Sequence, residues 1–557
     1  CVGQPNHPQQ GGRPFNGPRC GTPGEARTTC GSQYTAIAPA WDISQNRLTC
    51  DITRCQWEYL GMLLLHNARI LDLTDGSTGK PTDVLLSDRV LALGPEAQQQ
   101  AHSARVRSID LGGRLLMPGL WDEHVHVGQW ALASRRFLVS QTASCETVLE
   151  EVATHVKRSE GSDEPILQGF GFRPSLWGSN PNARQLDAVT GDRAVILVSA
   201  DLHSSWCNTA AMRKLGIEGD RFLREQTSFD VQTQLSQVNP HVLDGWVGSC
   251  STAAARLGIT GIRDMEFSTD VETWLQREAD GRCPLRVEVS VYPERLDEAI
   301  AQGLATGQAP VTDKPGPSRV AMGPLKVIVD GSMSTRTAWC MDSYPAGAGP
   351  DGAGIDSVTP EDLVDLINRA KTGNLQCAAH AIGDRAAKEV LNAFEVTGIS
   401  GSIEHAQVLT DADVRRFAAL GVRASVQPLH LVDDRDATDV MWSDRADRCF
   451  RFADMVRAGT ELALGSDAPV SPVDPWGAIR VAVERTGDRR PSWHPEQALT
   501  LSQAITASAR HVTQVVTGGP GDVIAVAHNP FDLSGDALAG LTSDLTVVGG
   551  EVTAAAL

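Results

Sequence analysis

The chain contains no apolar run approaching the ~18 residues that a membrane-spanning helix needs; its strongest apolar stretches, Ala194 to Ala200 and Met62 to Leu65, are far shorter. An integral membrane protein is not expected. Basic charge is scarce and unclustered, with 49 Lys and Arg against 68 Asp and Glu and a formal net charge of -19. Without a cationic patch to meet phosphates, neither nucleic acid nor an anionic membrane surface is an expected partner. Paired cysteines are also missing: no C-x-x-C occurs, and beyond Cys1, Cys20, Cys30, Cys50 and Cys55 the other seven of the 12 lie singly along the chain. Such isolated thiols read as small buried hydrophobes of a reducing compartment, so the expected location is cytoplasmic. No charged start followed by an apolar stretch marks an intact signal peptide.

What is present is the composition of a globular protein, 41% hydrophobic and 21% charged over 557 residues, enough for one large catalytic domain and a smaller one. Residues 1–61 stand apart. They have no lysine, much Gly, Pro and Thr, and no amphipathic period. The segment reads as a disordered or non-native extension, with a processed segment anchored through Cys1 and a small cysteine-stapled module as the competing readings. Residues 62–117 alternate short β-type runs with turn residues such as Asp75-Gly76 and Gly112-Gly113, and predict a small β unit. The tail, 515–557, returns to that pattern around Asp522–Val526 and Leu545–Val548, so both ends are expected to build one β-sandwich.

Between them, over 118–514, strands alternate with amphipathic helices. Eight strand candidates can be counted: Leu116–Asp122, Ile259–Met265, Leu285–Val291, Leu325–Val329, Leu375–Ala381, Ser402–His405, Arg423–Gln427 and Glu461–Ser466. Eight parallel strands with helical crossovers predict an α/β fold, a closed (β/α)8 TIM barrel. Helix starts are legible at Thr359-Pro360-Glu361-Asp362 and in the capping box Thr500-Leu501-Ser502-Gln503. The long interval after the first strand predicts an inserted subdomain over 128–258.

Chemistry is concentrated where these strands end. The run Met117–His126 closes an apolar strand in His124-x-His126, and residues two apart on a strand point the same way, so both imidazoles can converge on one ion. His380, His405 and Asp467 close three further strand candidates, and Lys326 lies within a fourth. Any one of them could be a structural residue. Their convergence at the C-terminal mouth of one barrel predicts a metal site. Lys326 interrupts the buried strand Pro324–Asp330, where a lone ammonium is costly. Either an acid pairs with it, or its neutral amine takes up carbon dioxide and becomes a carbamate bridging two metals; the second reading is favoured.

These residues resemble the amidohydrolase superfamily, and more narrowly the amidohydrolase family 3 branch that includes N-substituted formamide deformylase-like proteins. The resemblance rests on PGLWDEHVH at 118–126, LKVIVDGSMSTRTA at 325–338, HAIGDRA at 380–386, IEHAQ at 403–407 and GSDAPVSPVDPW at 465–476, with GFGFRPSLW at 169–177 and LVSADLHSSWCNTAAM at 197–212. It implies a metal-dependent hydrolase with His124 and His126 on one metal and His380 and His405 on a second. Carbamylated Lys326 would bridge them, and Asp467 would serve as ligand and proton shuttle. Two Zn2+ per chain are expected, although such ligands also suit manganese, iron, cobalt or nickel. His203 would orient or polarise the substrate, with a buried structural histidine as the bland alternative, and Arg336 and Trp177 would line the pocket. The expected reaction is hydrolysis of a carbon–nitrogen bond in a small N-acyl or formamide-like molecule. Ester, lactone or carbamate hydrolysis is the alternative at the same site. Deamination is disfavoured because Gly383 stands where related deaminases carry glutamate, and a non-catalytic scaffold is disfavoured by retention of all six ligands. Family analogy suggests a homodimer. Two features depart from the pattern: residues 1–61, and Gly518–Asp522 in place of the usual glycine-lysine lead.

Overall fold

The computed structural model describes residues 61–557 apart from 105, 141–143, 160–163, 175–176, 178–179, 219–221, 236–237, 312–316 and 345–351. The extension expected over residues 1–61 therefore lies, except for Gly61, outside the described residues. At the centre stand eight parallel strands, here β1 (Leu120–Val125), β2 (Ile259–Asp264), β3 (Arg286–Val291), β4 (Val320–Ile328), β5 (Cys377–Ala381), β6 (Gly401–His405), β7 (Arg423–Val426) and β8 (Leu462–Leu464). Each pairs with the next in order. The ring closes at its C-terminal rim through the parallel bridge Val125↔Ala468, with Asp467 N donating to His124 O at 2.7 Å and His126 N to Ala468 O at 2.9 Å. Helices cover the outside, so strands such as β2 and β8 are buried throughout, as parallel strands enclosed on both faces must be. The predicted helix starts are present: Thr359 accepts from Asp362 N ahead of Pro360, and Thr500 and Gln503 form the capping box.

The first predicted strand, Leu116–Asp122, is two strands. Leu115–Pro118 pairs antiparallel with Val523–Val526 in a different sheet, and the barrel strand begins only at Leu120. Gly119 makes the transition because a Cβ there would lie 2.2 Å from the Thr260 side chain. The displacement moves β1 toward the rim and puts His124 inside the strand.

The second sheet has eight strands taken from both sides of the barrel sequence. Its path runs Glu551–Ala555, Leu545–Val548, Val523–Val526, Leu115–Pro118, Leu63–Ile70, Thr82–Leu86 and Val90–Leu93, with Arg107–Asp110 added beside Leu63–Ile70. A third, five-stranded sheet, from Phe137–Leu138 to Leu223–Arg224, lies between β1 and β2 in sequence. It has its own apolar clusters around Phe172, Trp206 and Ile196. The last helix of the interval read as an insertion, Pro240–Arg256, belongs with the barrel instead: Val247, Cys250, Ala254 and Ala255 join the barrel's core. Among the described residues no helix is long and apolar enough to cross a membrane. Cys207, Cys250, Cys283, Cys340, Cys377 and Cys449 are buried free thiols and Cys145 is half-buried.

Candidate metal centre

Six side chains meet at the C-terminal ends of five strands. His124 comes from the end of β1 and His126 from the residue that opens helix Val127–Ala133; Lys326 lies in β4, His380 in β5 and His405 at the end of β6. Asp467 follows β8. The possible ligand atoms of His124, His405 and Asp467 all lie within 4.8 Å of one another. Asp467 Oδ1 is 3.4 Å from Nε2 of both His124 and His126, and Lys326 Nζ is 3.4 Å from His124 Nε2. The His380 ring centroid is 4.5 Å from that of His405. Three residues of the rim, His405, Ala406 and Asp467, have φ of 70°, 45° and 57°. Non-glycine residues seldom adopt this left-handed conformation, and it recurs where side chains are aimed at a common point.

The electrostatics suit a cation. Burial, reinforced by Lys326, pushes His380 down to about 3. Burial, reinforced by His380, holds His405 well below the usual imidazole range, and burial also lowers His124. The rings are thus neutral and keep lone pairs. Burial works against ionisation of Asp467, yet His124, His126 and His405 together hold its carboxyl well below the usual range. Lys326, 1% exposed, is driven toward its neutral amine by burial. Nδ1 of His126 and Nδ1 of His405 are buried without a hydrogen-bond partner, which is uncommon in proteins. A divalent metal fits this donor set of neutral imidazoles and a carboxylate, and His124, His405 and Asp467 would hold it.

The remaining predicted residues are placed as follows. His203 lies in the inserted sheet's turn at 201–203, its ring edge-on to Phe229 at 5.3 Å. In that turn Asp201 accepts from His203 N at 3.1 Å and from Ser334 Oγ. Ser334 belongs to the turn after β4 that also carries Arg336, whose φ is 63°. Trp177 packs against Phe172 and Trp206 at 5.6 and 5.7 Å, within the inserted sheet's apolar cluster.

Among the described residues, three ionisable groups that touch the cluster were missed by sequence reasoning. His430, on helix Pro428–Met441 just beyond β7, stacks on His405 at 5.8 Å and places Nε2 3.7 Å from Asp467 Oδ2. Asp330 stands 3.4 Å from His380 Nε2 and is pushed up to about 7 by burial. Glu404 lies behind His124. The available signal was position: each falls at or within a few residues of a predicted strand end.

A parallel eight-stranded barrel that gathers neutral imidazoles and a carboxylate at its C-terminal rim has the architecture of a metal-dependent hydrolase. The chain belongs to the amidohydrolase family, whose profile matches residues 107–554. It is 26% identical over 502 residues to Protein LONG AFTER FAR-RED 3 of Arabidopsis thaliana, covering 80% of this chain and 83% of that one. It is 25% identical over 492 residues to the putative amidohydrolase YtcJ of Bacillus subtilis (strain 168), covering 81% and 91%. With the N-substituted formamide deformylase of Arthrobacter pascens it shares 22% identity over 483 residues, covering 80% and 87%. The fold is also that of an uncharacterized metal-dependent hydrolase from Pyrococcus furiosus, with a TM-score of 0.68 and 24% identity over 84% of this chain and 99% of that one.

Proposed function

We propose that this hydrolase cleaves a carbon–nitrogen bond of amide type in a small N-acyl or formamide-like molecule, using two zinc ions and a carbamate on Lys326. The observation that carries the reading is the convergence of His124, His405 and Asp467 within 4.8 Å beside a buried lysine whose ammonium is disfavoured. The relative named as a formamide deformylase supports the choice of bond. A bound divalent metal supplies Lewis acidity toward a carbonyl and lowers the pKa of water. The protein's residues supply the rest. Ionised Asp467 accepts the proton of the attacking water and delivers it to the leaving nitrogen, a role typically worth ~100- to 10,000-fold. The neutral Lys326 amine adds to carbon dioxide, forming an N–C bond and releasing one proton to solvent, and so becomes a carbamate anion whose buried charge a bound metal would balance. His203 and Arg336 reach the substrate from the turns joined by the Asp201–Ser334 hydrogen bond.

Elemental analysis of protein expressed with zinc and bicarbonate, followed by a panel of formamides, N-acyl amines and esters, tests the reading. About two zinc per chain with amide turnover is the expected outcome. One zinc removes the bridging carbamate from the account, turnover of esters alone moves the reaction to that bond, and absence of zinc after reconstitution overturns the proposal.

A further inference from the structure

We propose that Glu404 is a positioning residue for this centre: its enclosed carboxylate holds His124 as the Nδ1–H tautomer, so that Nε2 is the ring atom offered to a metal. The proposal rests on the metal reading above and adds a group outside the ligand set.

Glu404 is 0% exposed, and a carboxylate so enclosed is costly unless its oxygens are hydrogen-bonded. Both are. Oε2 lies 2.6 Å from His124 Nδ1, and Oε1 accepts from Ser402 Oγ at 2.5 Å. Ser402 is two residues earlier on β6, on the same face, so one strand carries the carboxylate and the hydroxyl that orients it. An ionised carboxylate can only accept, which places the hydrogen on Nδ1 and the lone pair on Nε2. That nitrogen is 3.4 Å from Asp467 Oδ1 and 3.4 Å from Lys326 Nζ. Histidine ligands commonly give their second nitrogen to such a carboxylate, which orients the ring and raises its basicity. In this cluster the support is unequal, because His126 and His405 each retain a buried Nδ1 without a partner. His124 is therefore a ring whose ligating atom is settled before any metal arrives, by a carboxylate on its Nδ1, whereas His380 has its Nε2 beside the Gly331 carbonyl at 3.3 Å. β6 also carries His405 directly after Glu404, so a single strand end supplies one ligand and fixes another across the barrel.

The competing account makes Glu404 a counter-ion for Lys326. To separate the two, Zn2+ is titrated into metal-free protein against a competing chelator for the wild type, Glu404→Gln, Glu404→Asp and Ser402→Ala, and again with Glu404→Gln in a Lys326→Met background. The His124 tautomer is read by 15N NMR of the metal-free wild type. The expected results are an Nδ1–H signal for His124, a ~10- to 100-fold loss of affinity in Glu404→Gln, partial recovery in Glu404→Asp, and a smaller loss in Ser402→Ala. The loss persists when Lys326 is Met. An Nε2–H tautomer in the wild type overturns the proposal whether or not the variants fold. So does wild-type affinity in Glu404→Gln, or disappearance of its effect in the Lys326→Met background. A wild type that binds no zinc overturns the metal reading itself, which the titration shows before any variant is compared.

Discussion

The two ends of the barrel interior are built from adjacent residues and treat charge in opposite ways. Toward the N-terminal ends, Arg263 of β2 meets Glu123 of β1 at 3.1 Å and Glu288 of β3 at 2.8 Å. Arg510 hydrogen-bonds to both acids and lies 3.3 Å from the Trp121 ring centroid. Each of these charges faces an opposite one. Beside them a cavity of about 240 Å³ is lined by Arg263, Cys377, Ser402, Arg423 and Glu461, at the starts of the later strands. One residue beyond Glu123, His124 opens the other regime, in which Nδ1 of His126 and of His405 have no hydrogen-bond partner and the backbones at His405 and Asp467 are left-handed. Charge is neutralised where the barrel must hold together and left available where it must act.

The largest expected effect tests the available end. Asp467→Asn removes a charge without removing volume; turnover should fall by at least ~100-fold, while most of the zinc remains and the denaturation midpoint stays near that of the wild type. Equal turnover would remove Asp467 from proton transfer. A large stability loss would mean that the rim, too, holds the fold together.

The converse substitution is Glu288→Gln. Arg263 and Arg510 hold the Glu288 carboxyl well below its usual range although burial works against them, and removing one partner of a buried pair costs ~3–5 kcal/mol. The expected outcome in denaturant is a loss of that size, with zinc per folded chain unchanged because β3 carries no proposed ligand. If instead stability is kept and zinc is lost, the two ends are not separate regimes.

Most of the barrel was legible in the sequence, since seven of its strands are apolar runs bounded by turns and lie where the pattern put them. The first strand was not, because Leu115–Pro118 and Leu120–Val125 are equally apolar and only pairing partners tell one sheet from the other. Helix Pro240–Arg256 was assigned to the insertion for a related reason: its pattern specifies a buried face and leaves open which core receives it. At the site, histidines at strand ends announce themselves. Glu404 did not, because a wholly buried acid looks in sequence like any surface acid until its partner, 280 residues away, is known. His430 was hidden behind Pro428, where the sequence shows only the start of a helix. Trp177, expected to line the pocket, has ring neighbours in the inserted sheet's apolar cluster.

The smallest effect is in pH dependence, and it distinguishes the two ends by sign. His380 titrates at about 3 in the folded protein because burial, aided by Lys326, disfavours its charged form; in the unfolded chain the ring titrates near ~6.5. Between those values only the unfolded chain binds the proton. The ring's contribution to stability is therefore fully present above about 6.5 and is lost as pH falls toward 3, at about 1.4 kcal/mol per pH unit. Asp330 and Asp122 act in the reverse sense: burial raises them to about 7 and about 6, so their contributions decline as pH rises through those values. The whole-protein curve mixes both, and the informative quantity is the difference between wild type and His380→Gln, both free of metal. From pH 7.5 to 5.0 the wild type should lose about 2 kcal/mol relative to the variant in denaturant titrations. Glu288→Gln carries no such dependence in that range, because its carboxylate is ionised in folded and unfolded chains alike. A His380→Gln difference equally flat with pH would place the rim in the same regime as the paired charges beneath it.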